Sequence, residues 1–305
     1  MNRRLYLILA FVGLGQMLPL HACDVCGCVS SSGYTGFIQG MQGHMIGART
    51  RFQHFRHPAS SFHETGQVQV REDLQVALDV WGRWQPHARW QVWATLPVKH
   101  HVRLDEEGWS GATGLGDGQL SFLWEAVKKE DTAKSSVFRW WLGGGVQLPT
   151  GRMGLRDRFG LLFPMWFQPG TGVFGLMAQS TALWQKDAWG VQSDVRVKHS
   201  FAHMNGDQPG LQGGLNLMAF RSFTRETGTW MPQLGFGLDF FEKDRVNGVR
   251  DDASGGLFGF GQVGLDWMGR NWFFQGQIRI PVVQVRPETQ PGNTLVSWLG
   301  VGYRW

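Results

Sequence analysis

The chain has 305 residues, a net charge of +5, and 16 Trp, 21 Phe and 43 Gly against only 3 Tyr. Its basic residues are scattered singly, which argues against a nucleic-acid-binding face. No apolar stretch beyond the N-terminus reaches the length a spanning helix needs, which excludes a helical membrane protein.

Residues 1–22, "MNRRLYLILAFVGLGQMLPLHA", have the layout of a secretory signal peptide: Arg3 and Arg4, an apolar run from Leu5 to Leu14, and Ala22 before Cys23. Leu20 is larger than the small residue usual three positions before a cut. The run Leu20-His21-Ala22-Cys23 also fits a lipobox, with acylation of Cys23, although His21 is unusual there. An uncut anchor is the third reading, and each of the three takes the chain out of the cytoplasm.

Residues 23–42 hold all the cysteines of the chain, Cys23, Cys26 and Cys28 in "CDVCGC". Three thiols leave an odd one after any single disulfide. A Cys23–Cys26 disulfide suits an oxidising periplasm. Lipidation of Cys23 would leave Cys26 and Cys28. A soft-metal site for Cu(I) or zinc would use the thiolates as ligands. Met41, His44 and Met45 in "MQGHM" add thioether and imidazole donors suited to Cu(I), against a plainer reading as strand-entry packing. The Gly/Ser-rich segment is expected either to hang in the periplasm or to fold into the body as a plug.

From residue 43 the sequence alternates. In "DLQVALDVWGRW", Leu74, Val76, Leu78 and Val80 take one parity and Gln75, Asp79 and Arg83 the other; "ARWQVWATLPVK" and "AWGVQSDVRVKH" repeat the pattern. Alternation alone fits either a soluble sandwich or a membrane barrel. Three features favour the barrel. The runs are longer than sandwich strands, which average about 5–6 residues. Trp84, Trp90, Trp184, Trp189, Trp267 and Trp272 flank tight turns, as in an interfacial aromatic girdle. The end, "LVSWLGVGYRW", resembles the assembly signal of bacterial outer-membrane barrels, which implies recognition by the barrel assembly machinery. The expectation is an all-β fold: one transmembrane antiparallel β-barrel over 43–305, about twelve strands. The predicted spans are 43–56, 72–85, 88–103, 117–129, 136–149, 172–185, 188–203, 208–223, 229–243, 255–267, 271–285 and 293–305. Short connections after even strands and longer ones after odd strands predict both termini on the periplasmic side of a Gram-negative outer membrane, with its lipid as the surrounding partner.

The inward parity is then Arg49, Arg51, Asp79, Arg83, Arg89, Lys99, Glu125, Arg139, Asp194, Arg196, Lys198, Asp239, Asp266, Arg279 and Arg304, with bases in excess. These side chains either fill a narrow barrel by pairing or line a narrow pore with mild preference for anions. The pairs His54/His57 and His100/His101 read as solvated loop ends. His199 and Ser200, the candidates for an outer-membrane acyl hydrolase, are adjacent and so face opposite sides, which argues against catalysis.

"GLGD" (114–117), "VQLPTGR" (146–152) and "FQPGTGVF" (167–174) are similar to recurring segments of a broad family of outer-membrane barrels labelled as transporters, some linked to aromatic-compound degradation. "ACDVCGC", followed by "GFIQGMQGHMIGARTRFQHFR" and "DVWGRWQPHARWQV", resembles a subgroup of such barrels with an N-terminal Cys-x-x-Cys-Gly-Cys. The resemblance implies a transporter label and an association with metal handling, with no substrate assigned. The expectation is a channel or transporter for a small solute, linked to copper through the donors above, with a periplasmic metal-handling partner. The competing reading is a non-conducting barrel that displays the cysteine segment. "LPTG" is expected to end an upward strand at the outer rim, and "QPGTG" to begin the return.

Overall fold

The computed structural model describes residues 40–57, 72–105, 108–157, 159–160, 162–163, 167–203, 206–288 and 290–305. The leader and Cys23, Cys26 and Cys28 lie outside the described residues. The strands are β1 (Met45–Arg56), β2 (Glu72–His87), β3 (Trp90–Asp105), β4 (Gly108–Leu115, resuming as Gly118–Asp131), β5 (Ser136–Leu148) and β6 (Gly175–Lys186). They continue as β7 (Trp189–Ser200), β8 (Gln212–Arg221, with Phe223–Arg225), β9 (Gly228–Phe241), β10 (Gly256–Met268), β11 (Trp272–Val285) and β12 (Gly292–Arg304). Each pairs antiparallel with its sequence neighbour. β12 returns to β1 from Met45↔Arg304 to Arg56↔Gly292, which closes a twelve-strand transmembrane barrel.

The two parities separate as the sequence predicts. On β2, Leu74, Leu78 and Val80 are exposed on the outer wall, whereas Gln75, Ala77, Asp79, Trp81 and Arg83 are buried inside. The outer wall is apolar, and Trp84, Trp184, Trp189, Trp272 and Trp305 stand exposed at the end that carries the chain termini. Amphipathic rings at a hydrocarbon boundary account for that placement.

Strand limits fall within a few residues of the predicted ones, with one substantial difference. Residues 104–116 were expected to be a connection, but Gly108–Leu115 pairs with β3 from Asp105↔Gly108 to Val98↔Leu115. The strand breaks at Gly116-Asp117 and resumes against β3 at Thr95↔Gln119. β3 and the first part of β4 therefore form a hairpin whose second arm pairs with β3 alone.

Tight curvature needs glycine at particular inward positions. A Cβ on Gly143 of β5 would lie 2.2 Å from the carbonyl oxygen of Phe122, and one on Gly235 of β9 would lie 2.2 Å from that of Leu217. In both cases the obstacle is backbone of the neighbouring strand, which cannot rotate away. Gly143→Ala is therefore expected to destabilise the refolded barrel by about 1–3 kcal/mol through overpacking. Gly261→Ala, whose Cβ would meet nothing closer than 3.9 Å, is expected to be neutral. Equilibrium urea unfolding followed by tryptophan fluorescence checks the pair.

Candidate functional site

The interior changes character along the barrel axis. Next to the termini lies an apolar layer of Met45, Trp81, Trp93, Leu123, Trp141, Leu183, Phe220, Met231 and Phe273, contributed by nine different strands. Three of its rings lie over inward glycines directly paired with them. A Cβ on Gly47 would come within 2.5 Å of Trp81, one on Gly190 within 2.1 Å of Phe220, and one on Gly302 within 2.1 Å of Phe273. The glycines let these rings lie against the wall.

Residues 40–44 pass across part of this mouth. Arg139 on β5 donates to the carbonyl of Gly40 at 2.8 Å, and Arg83 on β2 donates to that of Gly43 at 2.8 Å. The Gly43 N–H reaches Gln85 Oε1 at 2.8 Å, while His44 and Trp305 exchange two backbone hydrogen bonds of 3.2 Å. Met41 packs against the apolar layer, so the strap closes over it from below.

Above the layer the interior is polar on the side of β1 to β7. Asp79 is gripped by Arg49 at 3.0 Å and Arg51 at 2.8 Å. Asp194 accepts from Thr181 Oγ1 and Gln192 Nε2, and Arg196 donates to Gln179 Oε1. Lys198 donates to Gln147 Oε1 at 2.9 Å. The opposite side, at β8 to β12, is packed with Met218, Phe241, Phe258, Phe260 and Trp298, together with Phe55 of β1. One buried ion pair, Arg279–Asp239 at 3.1 Å, sits in it with the guanidinium 4.1 Å from the Phe260 ring. Buried amides persist among these rings, with Gln262 Nε2 donating to Asn216 Oδ1 at 3.1 Å, so the aromatic cluster narrows the lumen on this side without making it apolar.

The third level is a knot built by the three short motifs. Asp117, at the break in β4, accepts from Gly151 N–H at 3.0 Å, Thr171 N–H at 2.7 Å, Thr171 Oγ1 at 2.6 Å and Gln147 Nε2 at 3.0 Å. A carboxylate satisfied by so many donors is held firmly even when buried. Gly151 and Gly170 touch backbone to backbone: a Cβ on Gly151 would lie 2.4 Å from the Gly170 Cα. "LPTG" does end β5, at Leu148, and "PGTG" precedes the return at Gly175 of β6. They turn inward to meet Asp117 level with Pro97, whose carbonyl receives the Gly116 N–H at 2.8 Å. Beyond the knot, Phe163 and Phe167 pack with Ala112 beneath the β3–β4 hairpin, and the Phe167 carbonyl lies 2.6 Å from His101 Nδ1.

Arg89 and His101 depart from their expected places, and the other predicted residues are distributed through the interior and its mouth. Arg89 lies exposed in the β2–β3 turn rather than along the lumen wall. Arg304 is at the mouth, donating to the carbonyl of Arg270. Arg139 is half-buried beside Glu125 at 3.5 Å, and Asp266 accepts from Gln275 at 3.2 Å. His101 is no solvated loop end but a buried inward residue. His57 joins Asp73 at 2.6 Å, and Asp73 also receives Arg103 at 2.9 Å. Met45 and Met41 pack in the apolar layer, and His44 lies against Trp305 with ring centroids 5.9 Å apart. These are the packing roles weighed against metal ligation. Among the described residues no group of three His, Cys, Asp or Glu is placed to hold a metal. Asp117, Gln147, Thr171 and Arg103 were not singled out from the sequence. Their only signal is a polar residue at an inward position, flanked by glycines in the cases of Asp117 and Thr171.

A concavity of about 910 Å³ lies on the outside of the barrel, walled by Phe52, Leu265, Phe274, Ile278 and Leu299. It faces lipid, has almost no polar lining, and is not the site.

No protein-family model and no curated protein matches the chain. In fold it is similar to an outer membrane channel from Pseudomonas putida F1, at 13% identity and a TM-score of 0.62, over 87% of this chain and 96% of that one. The transport unit of the autotransporter AIDA-I from Escherichia coli is a looser likeness, at 11% identity and a TM-score of 0.49, covering 90% of this chain and 95% of that one. The likeness to the Pseudomonas putida channel establishes a shared β-barrel fold.

Asp117→Asn replaces one acceptor oxygen by a donor that faces other donors. The expected cost is about 1–3 kcal/mol, borne by the inward-turned segment. Trypsin should then cut after the exposed Arg152 and Arg156 about tenfold faster than in the parent, as read by mass spectrometry of the fragments.

Proposed function

We propose that this protein is a narrow outer-membrane channel or transporter for a small solute, with no catalytic role. The carrying observation is the polar lumenal cavity walled by Arg51, Lys99, Asp117, Gln147 and Lys198, inside a barrel with an apolar outer surface. A polar interior enclosed by a lipid-facing wall is the arrangement of a pore. The similarity in fold to a bacterial outer-membrane channel supports the reading and an outer-membrane location. His199 is exposed outside and Ser200 buried inside, which leaves the acyl-hydrolase alternative without its pair.

Both termini then lie on the periplasmic side, where the strap over the apolar layer is the inner closure and the knot is the outer constriction. Residues 1–22 act as a secretory leader, and the strand ending at Trp305 is the segment handed to the assembly machinery. Cys23, Cys26 and Cys28 precede the strap in the sequence and belong to the same periplasmic segment. There they bind Cu(I) or zinc, within reach of a periplasmic metal-handling protein. This last part rests on the sequence alone.

A second reading, a non-conducting barrel that displays the cysteine segment, draws on the small size of the lumenal cavities, about 20 Å³ and about 10 Å³. Planar-bilayer recording of the refolded protein separates the two. Ohmic steps are expected, with larger or more frequent openings when residues 23–42 are deleted or Arg139 is changed to Ala. Silence from every form would support display. Metal content after purification under reducing conditions is expected to fall when all three cysteines are changed to Ser. Equal content in the two proteins would remove the metal from the proposal.

A further inference from the structure

The two lumenal cavities adjoin one another. Both are bounded by Arg51 and Lys99, and the larger also by Lys198. At about 20 Å³, the larger has room for one particle the size of a water molecule. The chemistry of its wall is lopsided. Its two carboxylates are Asp79 and Asp117. Both oxygens of Asp79 already accept from the guanidinium groups of Arg49 and Arg51, at 2.8 to 3.2 Å. Both oxygens of Asp117 accept from Gly151, Thr171 and Gln147. Gln147 is polarised between two charges, its Nε2 toward Asp117 and its Oε1 toward the Lys198 ammonium. The acceptors around the cavity are therefore largely engaged, while three cationic side chains face it.

A cation in this space would sit among Arg51, Lys99 and Lys198 with no uncommitted carboxylate to offset them. A particle carrying negative charge and only lone pairs is favoured on both counts. We propose that the cavity is a binding site for a monovalent anion no larger than a halide, and that an anion passing through the lumen pauses there. Lys99 and Lys198 are its specificity-determining residues, because an ammonium group offers three N–H donors and both border the cavity, Lys198 while also donating to Gln147 Oε1. Gly116 serves the site indirectly: a Cβ there would lie 3.0 Å from Lys99 Cε and 2.9 Å from Pro97 Cγ, so only glycine leaves the lysine stem its place along the knot. The site itself follows from the wall alone. Its role in permeation rests on the channel reading above.

Two measurements on the full chain test it. Crystals grown in bromide should give an anomalous peak beside Lys99 and Lys198 that disappears in the Lys99→Gln/Lys198→Gln variant. A water there in the parent, or a bromide that persists in the variant as an adventitious ion only, overturns the site. In planar bilayers under a potassium chloride gradient, the parent should favour chloride. Its chloride-to-potassium permeability ratio should fall about tenfold in the same variant. An unchanged ratio overturns the role in selectivity. Bromide at the site in a protein that never conducts supports the anion site and sinks the channel reading, so the two failures are distinguishable. The parent crystals answer the question of binding even if the variant fails to fold.

Discussion

Every feature of this molecule depends on the need to pair backbone polar groups within hydrocarbon. An open sheet edge there leaves N–H and C=O groups unsatisfied at several kcal/mol each, so the ladder must close on itself. Closure is the pairing of β1 with β12, from Met45↔Arg304 to Arg56↔Gly292. Once it is made, a strand of alternating polarity has no choice of faces. Its apolar parity meets lipid, and its charged parity is confined to a space a few side chains wide. Burying charge in such a space is costly unless each group is paired or richly hydrogen-bonded. Arg49 and Arg51 on Asp79, Arg279 on Asp239 and Arg103 on Asp73 are the consequences of that confinement.

The same confinement explains the composition. Twelve strands leave an interior that side chains can nearly fill, so bulk on one strand has to be matched by its absence on the next. Trp81 against Gly47, Phe220 against Gly190 and Phe273 against Gly302 are three instances at one level. Gly143 and Gly235 do a different job, since what they avoid is the neighbouring backbone rather than a ring. The high glycine and aromatic contents are thus one requirement seen from two sides.

How much of this was legible in the sequence follows from the range of each interaction. Parity is a property of neighbours along the chain, so the outward placement of Leu78 and Val80 and the inward placement of Asp79 and Arg83 could be read directly. The break at Gly116-Asp117 could not. Its cause is a carboxylate satisfied by Gly151 and Thr171, residues 34 and 54 positions away, and no local pattern encodes those partners. His101 misled for the same reason: its partner, the Phe167 carbonyl, is brought in by the knot. Arg89 failed at the opposite extreme, since parity stops predicting a face once the strand becomes a turn.

The two closures of the lumen differ in how firmly they are made. The knot at Asp117 is held by four hydrogen bonds to a buried carboxylate, each worth about 1.5–3 kcal/mol where a charged group is involved, and by glycine backbones in direct contact. Its removal would also strand Gln147 and with it the bond from Lys198. The strap has two arginine-to-carbonyl bonds, one glutamine contact, two backbone bonds between His44 and Trp305 and the packing of Met41, at one end of the barrel. None of these involves a buried carboxylate, and it is an unsatisfied buried carboxylate that costs its full desolvation. The knot is therefore the firmer closure of the two. On the channel reading proposed above, a solute that enters past the knot meets that firmer constriction first, and the cysteines are on the same stretch of chain as the weaker one.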